Sequence, residues 1–133
     1  MGAWGADSFE NDTVNDWAYD LEETTDLHLL QHAILSILKK EGEYITSREA
    51  VIALAAADVI ARLQGNFGQR DAYTEKVDEW VQKIRLTPPR ELVESALIAV
   101  ALIEGEHSEL RKLWEGSTEW RTAIDSLKRR LKN

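Results

Sequence analysis

His28 and His32 stand four residues apart and are the first side chains in this sequence whose spacing suggests chemistry. On a helix, an H-x-x-x-H spacing puts both imidazoles on one face, where they could hold a metal ion. The hydrolytic form of that site needs a glutamate directly after the first histidine as general base, and Leu29 occupies the position. A structural metal needs further ligands, and the third histidine, His107, is remote in sequence. The expectation is two partly exposed, ordinary histidines and no metal. Asp58 interrupts an apolar helix, and a lone carboxylate in such a run is a candidate for functional acid–base work. Arg62 follows four residues later and Arg48 projects to the same side, so an ion pair at the helix's polar edge accounts for Asp58 without chemistry. Glu94 and Glu104 have no serine or histidine at a telling spacing. No nucleophile elbow, phosphate-binding loop or dinucleotide fingerprint occurs. The acids from Asp7 to Asp16 lack the spacing of a calcium loop. No cofactor is implied.

Charge narrows the function classes. The 133 residues carry 24 acids and 16 bases, a net of −8. Nucleic-acid and anionic-membrane surfaces need a positive field, so neither partner is expected. The asymmetry is sharper than the total. Residues 1–26 hold eight acids and no Lys or Arg, while the remainder is balanced. The segment 111–133 holds seven bases against Glu115, Glu119 and Asp125. Zero cysteines exclude disulfides, thiolate metal sites and cysteine nucleophiles. The first 26 residues show no signal-peptide pattern. The longest apolar runs, 50–57 and 96–103, are far below the roughly 20 residues that span a bilayer. A cytoplasmic, soluble protein is expected.

The elements that must position these residues are helices. Val14, Trp17, Ala18 and Leu21 form one stripe of helical period. Leu27, Leu30, Ile34, Ile37 and Leu38 form a second; Tyr73, Val77, Trp80, Val81 and Ile84 a third; Trp120, Ile124, Leu127 and Leu131 a fourth. Asn11 or Asp12 can cap the first helix. Thr46 and Glu49 read as a capping box. Gly65 marks a helix end, Thr87-Pro88 a start, and Gly116-Ser117 an end followed by a cap. Segments follow at 12–23, 27–41, 47–64, 74–85, 88–104, 107–115 and 118–132. Residues 51–63 and 92–103 are apolar almost all round and rich in alanine, so both should be central. The expected fold is all-α: an irregular single-domain bundle of about six or seven helices over residues 1–133, with a docked N-terminal arm.

The N-terminus is the most unusual stretch. Trp4, Phe9 and Trp17 are large apolar side chains in a segment otherwise small and acidic, and Gly2 and Gly5 allow tight turns. Met1, Gly2, Ala3, Trp4, Gly5, Phe9, Asn11, Asp12, Asp16 and Trp17 together resemble the opening signature of the bacterial domain-of-unknown-function family 4259, with Asp7 and Val14 departing from it. The alanine-rich helix through Leu63 and the later Leu110-Arg-Lys-Leu-Trp114 are similar to the family too. The resemblance implies a small bacterial helical protein and no reaction.

Two functional expectations remain. The first is a non-enzymatic interaction module that meets a basic protein through the face of Glu10, Asn11, Asp12, Asp16 and Asp20, with Trp4, Gly5, Phe9 and Trp17 as its structural signature. An immunity-type protein that blocks a basic toxin is its most specific form. The alternative is an enzyme or small-ligand or cation-binding protein with a site at Glu10, Asn11, Asp12 and Asp16. A deep pocket bordered by these four residues favours the alternative, and a convex acidic face favours interaction. If Asp16 and Asp20 are not exposed to a partner, the basic C-terminal helix (Lys128, Arg129, Arg130, Lys132) should lie against them.

Overall fold

Apolar stripes of period 3.6 must be covered, and in the computed structural model they cover one another. The structure describes Phe9 and residues 11–133. Seven helices lie among them, packed into one bundle without strands: α1 (Asp12–Glu22), α2 (His28–Leu38), α3 (Ser47–Leu63), α4 (Glu75–Ile84), α5 (Arg90–Ile103), α6 (Glu109–Leu113) and α7 (Thr118–Lys132). Each expected segment corresponds to one helix.

Local chemistry explains the boundaries. Asn11 is extended, and its Oδ1 accepts the Val14 N–H at 2.8 Å, which starts α1. Thr46 and Glu49 form the capping box at the head of α3. Glu109 of α6 reaches the same helix end, where its Oε1 accepts the Ser47 N–H at 2.6 Å. That backbone bond holds the Glu109 carboxyl below its ordinary pKa. Ile45 pairs with His107 and Glu109 through backbone bonds, so α6 is fastened to the start of α3 twice. Gly65 and Gly116 follow α3 and the α6 turn at φ +91° and +83°, a left-handed conformation that glycine adopts without strain. Ser117 then caps α7 by accepting from Trp120 N–H.

Helix α2 ends at Leu38 rather than at 41, and the start of α5 differs from the sequence reading for a clear reason. Helix α5 starts at Arg90 with Pro89 as its cap residue, rather than at Pro88 behind a Thr87 cap. A residue that precedes proline is pushed out of the helical region. Pro88 precedes Pro89, so it cannot be the first helical residue.

Helix α3 is the centre of the bundle. It touches all six other helices, and Ala53, Ala55, Ala56, Ala57 and Ala61 are fully buried between them. Side chains this small let neighbouring axes approach from every side. Helix α5 is covered by α2, α3 and α7. The stripes at Val14, Trp17, Ala18 and Leu21, and at Trp120, Ile124, Leu127 and Leu131, are buried as read. Tyr73 is the exception to the third stripe and stays 44% exposed. Trp80 turns its indole N–H to the Thr24 carbonyl at 2.9 Å, which pins α4 to the end of α1.

Candidate functional site

The candidate residues of the N-terminal face part company on folding. Asp12, Asp16 and Asp20 are exposed on α1, opposite the buried stripe, and Glu23 continues the line just beyond the helix. Asn11 does not belong to that face: it is 7% exposed and its amide oxygen is used in capping. Phe9 and Trp17 are buried in the core. Glu10, Trp4 and Gly5 lie outside the described residues.

Charges near the acidic line go elsewhere. Among the described residues, the ion pairs of α7 lead to Asp58, Glu104 and Asp125 rather than to α1. Helix α1 packs on α3 and α4. The cation nearest to it in the contacts is Lys76 of α4, whose Nζ sits 3.5 Å from the Tyr19 ring centroid and 3.6 Å from Glu22. Desolvation opposes the Lys76 charge, but Tyr19 and Glu22 outweigh it and raise the pKa. Asp12, Asp16 and Asp20 make no ion pair among the described residues.

The reading of Asp58 needs a correction. The i, i+4 pair with Arg62 is present, but Asp58 does not sit at a polar edge and its second partner is Arg130 rather than Arg48. Asp58 is fully buried, and its carboxylate accepts from Arg62 Nε at 2.9 Å and from Arg130 Nη1 and Nη2 at 2.8 and 3.1 Å. Arg48 is exposed. Arg62, also buried, donates onward to Asp78 at 2.7 Å and to the Gln69 carbonyl at 2.7 Å. Thr74 donates to the other Asp78 oxygen, which Arg70 approaches at 3.4 Å. The Phe9 ring lies 5.1 Å from the Arg62 guanidinium carbon, with Phe67 at 5.6 Å. Phe9 of the N-terminal signature therefore lies against a buried ionic cluster. Arg62 was legible as the i+4 partner of Asp58, but Asp78 and Arg130 come from 16 and 72 residues away and leave no local pattern.

No group of three or more His, Asp or Glu is placed to hold a metal ion among the described residues. His28 and His32 are both exposed. Three cavities lie among described residues: beside α4, between α5 and the end of α7, and at the α6–α7 corner. Asn11, Asp12 and Asp16 line none of the three. No helix among the described residues is long and apolar enough to cross a membrane.

The fold and this surface define a helical bundle with an outward acidic helix and a buried ionic core. The family model described as "Domain of unknown function (DUF4259)" matches residues 2–123, nearly the whole chain, and the protein belongs to that family. No curated protein and no solved structure matched it.

Proposed function

We propose that the protein is a non-enzymatic interaction module whose α1 surface receives a basic segment of another protein. One observation carries the reading: Asp16 and Asp20 stand exposed in a stack of like charge that no described cation neutralises, while Arg121, Lys128 and Arg130 of α7 pair with Glu104 and Asp58. Stacked carboxylates at i, i+4 cost a helix a few tenths of a kcal/mol per pair. A partner of opposite charge turns that cost into binding energy and speeds the encounter. Masking of a basic toxin, as an immunity-type protein does, is the most specific form of this reading.

The test is parallel capture from the native host with wild-type protein and the Asp16→Asn, Asp20→Asn double variant as baits. The reading expects a basic protein bound by the wild type, and a direct titration in which the double variant binds at least tenfold more weakly. Equal affinity of the two baits for every captured protein overturns it.

A further inference from the structure

Arg130, Asp58, Arg62, Asp78 and Arg70 form a line of alternating charge that begins on α7, crosses α3 and reaches the surface beside α4. Among the described residues, Asp58 and Asp78 already take the guanidinium bonds of Arg62 and Arg130. Arg70 adds a further cation at the outer end of the line. Its contact to Asp78 is the longest in the line, 3.4 Å, and its side chain is 54% exposed. If Arg70 leaves, Asp78 keeps Arg62 at 2.7 Å and the Thr74 hydroxyl at 3.0 Å, so no buried charge is stranded. The ionic core holds without it.

The place Arg70 occupies is nonetheless built for a guanidinium. The Phe67 ring lies 4.7 Å from its central carbon, and the Asp78 carboxylate closes the inner end. In front is a cavity of about 330 Å³ whose lining includes Asp71, Glu75 and Glu79. Asp78 is shared with Arg62, so these three carboxylates face one lining cation, Arg70. The described carboxylates are not placed to ligate a metal. A planar fork can stack on the ring and donate to the carboxylate at once, which an ammonium cannot do.

We propose that this is an arginine-recognition site: an arginine side chain of a partner protein takes the seat between Phe67 and Asp78, and Arg70 is the chain's own stand-in, displaced into solvent on binding. The proposal rests on the interaction reading above for its basic partner, but its residues belong to α4 and the loop before it rather than to α1.

N-acetyl-arginine amide titrated into the full chain, followed by backbone amide chemical shifts, tests it. Arg70→Ala should show saturable shifts across residues 67–82 with a Kd at least tenfold below that of the wild type. Arg70→Lys, which keeps a cation without the fork, should fall between them and guards against a folding defect in the alanine variant. Adding Glu75→Gln and Glu79→Gln to Arg70→Ala should abolish saturation. Equal Kd values for wild type, Arg70→Ala and Arg70→Lys overturn the proposal, as do shifts indifferent to the glutamine changes. Asp16→Asn with Asp20→Asn leaves this titration unchanged, so failure at α1 and failure at this seat read out separately.

Discussion

At the scale of single residues, the buried ionic cluster is where substitutions should cost most. Asp58 takes three guanidinium bonds with no exposure to water. Asp58→Ala removes the buried carboxylate shared by Arg62 and Arg130, leaving Arg62 with Asp78 and the Gln69 carbonyl, and should cost about 3–5 kcal/mol in urea unfolding; a loss below about 1 kcal/mol would show that water or rearrangement replaces the carboxylate. Trp17→Ala, a truncation at a core position, should also cost about 3–5 kcal/mol, and a variant as stable as wild type would remove Trp17 from the core. Gly68 has a different sensitivity. A Cβ there would stand 2.6 Å from the Arg130 guanidinium carbon, and Arg130 cannot swing away without leaving Asp58. Gly68→Ala should therefore destabilise by about 1–3 kcal/mol, visible as a lower denaturation midpoint.

At the scale of elements, caps and stripes were legible because they are local. Thr46 with Glu49, Gly65 and Ser117 each act within four residues, and each ends or starts a helix as read. Helix α3 was recognisable as central from its alanines and its all-round apolarity. What sequence could not show was the destination of polar side chains across helices: Arg130 to Asp58, Arg62 to Asp78, Glu109 to the head of α3. Of the candidate acidic face, the exposure of Asp12, Asp16 and Asp20 followed from period alone, whereas Asn11 turned inward because capping uses its side chain. Glu109 gives the α3–α6 junction a pH dependence. Its pKa is lowered by the Ser47 N–H, so its stabilisation is complete above the ordinary carboxylate range and fades as pH falls through the lowered native value. Melting temperature followed from pH 6 down to pH 3 should fall more steeply for wild type than for Glu109→Gln. Parallel curves would take Glu109 out of the junction.

At the scale of the molecule, the charge asymmetry of the chain persists among the described residues. The basic C-terminal helix spends Arg130 on the interior and Lys128 and Arg121 on Glu104, while α1 keeps its carboxylates outward. The fold therefore carries an acidic face on α1, with Asp12, Asp16 and Asp20 exposed. The central claim is that Asp16 and Asp20 answer to something outside the chain. Denaturant unfolding of the Asp16→Asn, Asp20→Asn double variant against wild type, at low and at high salt, tests it most directly. With no cation paired to these carboxylates among the described residues, the double variant should be as stable as wild type or a few tenths of a kcal/mol more stable at low salt, and the difference should shrink as salt rises. A double variant that is less stable at low salt and recovers toward wild type at high salt would contradict the claim, because it would show those carboxylates already paired within the molecule.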